Sequence, residues 1–246
     1  MYKKTLLIVV FSMFILSNQC MANLSSYIKK SEPDYMWKKV SEKDVSGGKI
    51  YELHMVSQKW EGIIWNHKIQ VFYPDKVEHP EFCTVFNTGG NGHSMVDLAG
   101  ITLARSCGTP LAVLWNVPNQ PLFDGKREDA LIAYSFLKFF ETGNEEWPLL
   151  FPMVKSVVKS MDTLETFTKQ EGLTQVKKFI VTGVSKRGWT SWLTGASEDG
   201  RVKAIVPMVI DTLNMKKQME RQVKIYGKVS DKIHDYRDTG ILDKLS

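Results

Sequence analysis

The chain has 246 residues, 43% of them hydrophobic and 24% charged, with a formal net charge of +5. This is enough apolar material for one large α/β domain. It excludes a disordered tail, a collagen-like fibre and a small disulfide-stapled module. No second long apolar run follows the first segment, which excludes a polytopic membrane protein.

The first segment reads as an export signal. Lys3 and Lys4 form a short positive region, and residues 6–16 (LLIVVFSMFIL) form an unbroken apolar core. A core of about 11 residues suits a signal peptide, whereas a spanning helix needs about 20. Cys20 and Ala22 put small residues where a signal peptidase reads, so cleavage after Ala22 is predicted, leaving one domain over residues 23–246. The protein is therefore expected to be secreted or periplasmic, and free of the membrane after cleavage. Losing Lys3 and Lys4 lowers the net charge by two, and the remainder is too small to argue for a nucleic-acid partner. Of the cysteines, Cys83 and Cys107 remain. A disulfide and two buried thiols both fit their places at the amino ends of neighbouring strands. Neither has a His or Cys at ligand spacing, so no metal or other cofactor is expected.

Residues 49–60 (KIYELHMVSQKW) and 65–73 (WNHKIQVFY) alternate apolar and polar positions, as two antiparallel strands would. Residues 82–86 (FCTVF) are a continuous apolar run, the mark of a strand covered on both faces, and end in a glycine-rich loop at 87–93. Ser94 can cap a helix that Gly108 closes, and residues 110–117 (PLAVLWNV) read as another buried strand. Apolar positions recur every three to four residues over 129–143 and again over 149–170, which predicts two amphipathic helices. Residues 177–182 (KKFIVT) form the next strand, and Gly183–Gly188 turns into a further helix. Residues 202–210 (VKAIVPMVI) are the last predicted strand, with Pro207 arguing for an edge position or a bulge. Residues from 215 onward read as charged helix. This alternation predicts a mostly parallel sheet with helices on both faces and an antiparallel start.

The chemistry sits in Gly183-Val184-Ser185-Lys186-Arg187-Gly188. A serine on a sharp strand-to-helix turn is the arrangement of a hydrolase nucleophile, held clear of its neighbours near the positive end of a helix. The amide of Lys186 would then face the developing oxyanion, and Gly90 and Asn91 in the earlier glycine loop would supply the other donor. The usual spacing is G-x-S-x-G, and here Arg187 stands where the second glycine belongs. A serine at a helix N-cap explains Ser185 equally simply.

Three separated stretches carry a family resemblance: residues 57–67 (SQKWEGIIWNH), the elbow 183–190 (GVSKRGWT) and residues 207–214 (PMVIDTLN). Together they resemble the PhoPQ-activated pathogenicity-related proteins, from about Tyr35 to the C-terminus. The resemblance implies a three-layer α/β-hydrolase fold, Ser185 as nucleophile and a G-x-S-x-R-G elbow as a family variant. It also implies a longer chain, whose acid and then histidine follow the nucleophile. Here only His234 follows Ser185, in a charged helical stretch where a solvated face is its simplest role. Asp211, after the strand that follows the nucleophile, is the best acid present, though a helix cap describes it too. The expectation is thus a C-terminally truncated member, lacking the strands of one sheet edge and its catalytic histidine.

Two functions follow. One is an exported hydrolase of the esterase or amidase type acting on a small-molecule or acyl substrate, with its activity as this chain left open. The other is a non-catalytic secreted binding, signalling or virulence-related protein on the same scaffold. For the latter, Tyr35, Trp37, Trp60 and Trp65 are candidates for a contact surface, beside the alternative that they pack on the sheet.

Overall fold

The computed structural model describes residues 23–92, 95–211 and 214–244. The export signal, Ser94 as a helix cap, and His93 beside the glycine loop all lie outside the described residues.

Helix α1 (Leu24–Lys29) opens under an Asn23 cap that accepts the Ser26 amide at 3.0 Å. Three antiparallel strands follow, β1 (Met36–Val45), β2 (Gly48–Trp60) and β3 (Ile63–Pro74). The β2–β3 turn is Glu61-Gly62, both at positive φ (46° and 79°), the two-residue hairpin geometry whose twist matches the strands it joins. A bulge between Val56 and Gln58 turns the consecutive residues Ser57 and Gln58 both into the core. There Gln58 Nε2 donates to the Pro152 carbonyl at 2.7 Å, so a polar pair is buried at no loss of hydrogen bonding.

The chain then alternates: β4 (Phe82–Asn87), α2 (Met95–Cys107), β5 (Leu111–Leu114), α3 (Glu128–Thr142), α4 (Leu150–Gln170), β6 (Lys178–Val184), α5 (Lys186–Gly195) and β7 (Val202–Met208). The seven strands make one sheet in the order β1-β2-β3-β5-β4-β6-β7, antiparallel up to β5 and parallel from there to β7. Both crossovers from β4, to β5 and past it to β6, carry helices, as parallel pairing requires. The predicted mixed sheet is therefore present, and Pro207 lies in β7, the outer strand among the described residues. Two strands are shorter than the apolar runs suggested, because Asn116 (φ 63°) and Val209 (φ 56°) turn the chain out of the sheet.

Helix α2 covers one face, over Ile50, Phe72, Leu111 and Val113. It comes so close that a Cβ on Gly100 would lie 2.6 Å from the Phe72 ring. The larger core is on the other face, where α3, α4 and α5 pack over Leu53, Ile69, Val85, Leu114 and Val181. Lys155 of α4 is fully buried, donating to the carbonyls of Tyr27 and Lys30 (3.2 and 2.9 Å) and pairing with Glu32, which ties α1 to α4. Helix α6 (Met215–Tyr226), a 3-10 turn (Asp231–Ile233), α7 (His234–Asp238) and α8 (Ile241–Lys244) close the described chain, with Tyr236 and Ile241 buried against α3.

The structure resolves two alternatives that the sequence leaves open. Trp60 and Trp65 are 1% and 0% exposed, so they cannot form a contact surface. Trp60 is instead the centre of an aromatic cluster, edge-on to Trp65, Phe123 and Trp147 at 5.7–5.8 Å. Tyr35 and Trp37 also pack against the core. The two cysteines are both free thiols, Cys83 buried in β4 and Cys107 exposed at the end of α2. Burial pushes the Cys83 thiol up to about 12, which leaves it protonated and unreactive. Iodoacetamide followed by peptide mapping should therefore modify Cys107 in the native protein and Cys83 only after unfolding.

Candidate active site

Ser185 sits between β6 and α5 at φ 57°, ψ −121°, a conformation that side-chain-bearing residues rarely adopt. Such strain persists only where the surroundings over-determine it, and they do so here. The Ser185 amide donates to the Met208 carbonyl at the end of β7 (2.9 Å), and its carbonyl accepts the Trp189 amide at 3.0 Å as the first bond of α5. The side chain of Ser185 does not cap the helix, which removes the simpler explanation for a serine at this position.

The glycines on either side are fixed by space. A Cβ on Gly183 would lie 2.7 Å from Arg187 and Asn87. One on Gly188 would lie 2.6 Å from Ile210 Cγ2 and 2.7 Å from the Met208 carbonyl oxygen. Gly188, one position later than usual, thus provides the close approach of helix to strand. Asn87, fully buried at the end of β4, completes the turn by donating to the Thr182 carbonyl and the Ser191 hydroxyl (2.7 and 3.1 Å).

Arg187 runs inward. Its Nε donates to the Val117 carbonyl at 2.6 Å, and its two terminal nitrogens grip the Glu128 carboxylate at 2.6 and 2.7 Å. It passes over Gly89, where a Cβ would strike the guanidinium. The elbow, the glycine loop and the start of α3 are thereby tied together. Partial burial would raise the Glu128 carboxyl, but bonds from Arg187 and Gln120 and the nearby cations outweigh it and hold it at about 2. The guanidinium is thus occupied and buried, and offers no charge to an anionic substrate. The sequence did not single out Glu128 or Asp129; acidic residues in a first helical turn are common enough to hide them.

Ser185 is half-buried and lines a cleft of about 580 Å³ together with Lys186, Trp189, Asp211 and Asp129. Ser185, Lys186 and Asp211 are therefore brought to one place. Lys186 Nζ pairs with Asp129 at 2.7 Å, and Asp211, exposed, accepts from Gln218 Nε2 at 2.8 Å. The glycine loop meets the elbow where Gly89 touches the Arg187 guanidinium, while Gly90, exposed at φ 72°, is not among the residues lining the Ser185 cleft. Asn91 is not in the Ser185 cleft; it lines a separate one of about 310 Å³ with His54, Lys68 and Trp115.

No histidine lines the Ser185 cleft among the described residues. His234 is exposed, bonded through Nδ1 to the Asp231 carbonyl (3.1 Å). His67 does meet a serine, Ser57, at 3.0 Å, but both are sealed in the core at 2% and 0% exposure. Its Nδ1 donates to the Trp115 carbonyl, so Nε2 accepts from Ser57, and burial lowers its pKa to about 4, keeping the ring neutral. That pair is structural.

The profile of a family described as PhoPQ-activated pathogenicity-related protein matches residues 24–246. Autocrine proliferation repressor protein A of Dictyostelium discoideum is 32% identical over 238 residues, covering 91% of this chain. The chain spans about half (48%) of that relative. Among solved structures, acetyl xylan esterase 1 from Thermoanaerobacterium sp. JW/SL YS485 superposes with a TM-score of 0.52 at 14% identity, over 90% of this chain and 69% of that one. A glucuronoyl esterase from Solibacter usitatus gives 0.51 at 13% identity, over 85% and 62%. At these identities the two esterases show the shared α/β-hydrolase fold. No helix among the described residues is long and apolar enough to cross a membrane.

Proposed function

We propose that this chain, which belongs to the PhoPQ-activated pathogenicity-related protein family, is an exported serine hydrolase of the esterase or amidase type with Ser185 as its nucleophile. The observation that carries this reading is the strained Ser185 backbone, wedged between Gly183 and Gly188 at the mouth of a cleft. Strain of this kind has no folding benefit and is characteristic of a presented nucleophile.

In this reading Ser185 Oγ attacks the acyl carbon, and the Lys186 amide at the start of α5 donates to the oxyanion with Gly90 of the neighbouring loop. Of the two acids lining the cleft, Asp129 and Asp211, Asp211 is the one that follows Ser185 in the chain. A serine hydroxyl needs a base to act at full rate, and loss of triad members costs roughly 10⁴–10⁶ in rate, while the elbow and oxyanion donors retain a residual activity.

A second reading is a secreted, non-catalytic binding or signalling protein on the same scaffold. Similarity to an autocrine proliferation repressor supports it, as does a cleft whose described lining includes no histidine.

A fluorophosphonate probe with mass-spectrometric mapping separates the two. Stoichiometric modification at Ser185, absent in Ser185→Ala, is the expected result. Folded protein that takes up no label would favour the binding role.

A further inference from the structure

Apart from Ser185, the polar side chains facing the cleft are largely engaged with one another. Asp129 accepts the Tyr236 hydroxyl at 2.9 Å and pairs with Lys186 at 2.7 Å. Asp211 accepts from Gln218, and the Gln222 side-chain oxygen accepts the Ser230 amide at 2.8 Å. Lys232 is exposed at the rim. The apolar part of the lining is Trp189 on α5, Ile210 after β7, Met215 and Met219 on α6, and Ile233 and Leu242.

Helix α6 is built for this cleft. Positions 215, 218, 219 and 222 all line it, an i, i+3, i+4, i+7 stripe on one helical face. No residue of α6 is fully buried, so the stripe faces the cleft and is not packed into a core. Methionines suit a wall that must fit a flexible chain, because the thioether adapts its shape without losing contact. The volume of about 580 Å³ lies within the range of small-ligand sites.

We propose that the cleft beneath α6 takes an unbranched alkyl chain, the acyl part of the substrate whose carbonyl carbon Ser185 attacks. This rests on the reading of Ser185 as nucleophile. The Oγ–acyl bond forms, the ester C–O bond breaks, and the alcohol departs with the serine proton. Asp129 and Lys186 neutralise one another beside the nucleophile, and along the apolar wall each buried methylene accelerates the reaction about fourfold.

Two fluorophosphonates, with butyl and decyl chains, test this on the full chain. Label forms the Ser185 Oγ–P bond, breaks P–F, and releases fluoride with the hydroxyl proton. With six more methylenes, the decyl probe is expected to react on the order of a thousandfold faster, and Met219→Glu is expected to shrink that ratio several-fold. Equal rates, or a faster butyl probe, would overturn the inference while leaving the nucleophile in place. A second measurement needs no nucleophile: dansyl-undecanoic acid binding, read as energy transfer from tryptophan, in native protein and Met219→Glu. Binding that depends on Met219 in a protein that takes no label would keep the alkyl cleft and remove the hydrolase. Neither label nor binding would remove both.

Discussion

Replacing Gly188 with alanine is expected to destabilise the protein by about 3 kcal/mol, the upper end of what overpacking usually costs. The added methyl would stand 2.7 Å from the Met208 carbonyl oxygen, 2.6 Å from Ile210 Cγ2 and 3.1 Å from the Gly183 carbonyl oxygen. Two of these three are backbone atoms in or beside paired strands, which cannot step aside as a flexible side chain can. Relief would require α5 to lift from β6 and β7, and the Ser185 amide would then lose its bond to Met208. Ser185 labelling should fall with stability, because the same contacts hold its φ positive. Gly200→Ala is the control: its Cβ would meet nothing within 4 Å and its φ is not positive, so the change should lie within about 0.5 kcal/mol of neutral. Urea unfolding midpoints of the two variants give the comparison. Equal midpoints would show that the Gly188 contact is soft and that the elbow is not held from this side.

The same glycine shows how much of the site was legible in the sequence. Strand FIVT, the turn and the helix after it were readable from the apolar run and the change of period, and Ser185 stands where they put it. The displaced second glycine looked like a departure from the pattern. Its reason is three-dimensional: residue 187 points back against the glycine loop and residue 188 faces the end of β7, so the small residue is needed one step later. No spacing rule gives that, because it depends on where Gly89 and Met208 lie.

Strand β1 was missed for a different reason. MWKKVSEKDV is exposed at nearly every position, and an outer strand with so little burial carries no apolar alternation to read. Residue type alone leaves the tryptophans open between a contact surface and the sheet core, and burial puts Trp60 and Trp65 in the core. Asn91 fails as a cleft residue because the glycine loop turns at Gly90 and Gly92, both at positive φ, and carries Asn91 toward Lys68 and Trp115.

The second large effect is expected at Arg187 and Glu128, and it should depend on pH. Removing one partner of a buried, hydrogen-bonded ion pair typically costs about 3–5 kcal/mol. Glu128 is 38% exposed and Arg187 10%, so solvent screening lowers the expectation for Arg187→Met or Glu128→Gln to about 2–3 kcal/mol. The loss is not only electrostatic. Arg187 also donates to the Val117 carbonyl, and Glu128 accepts from Gln120, so either change frees the loop after β5 from the elbow. Replacing both partners together, as Arg187→Met with Glu128→Leu, should cost less than either single change, because no charge is left without its partner. The sign with pH follows from the carboxyl. Folding holds Glu128 at about 2, below its ordinary value of 4.5. The pair therefore contributes fully above about pH 4.5 and is lost as pH falls from there toward 2. Thermal midpoints of the native protein should drop across that window, and those of Arg187→Met should drop less. Parallel curves would mean that another carboxylate carries the acid sensitivity and that the Arg187 brace holds the elbow by shape alone.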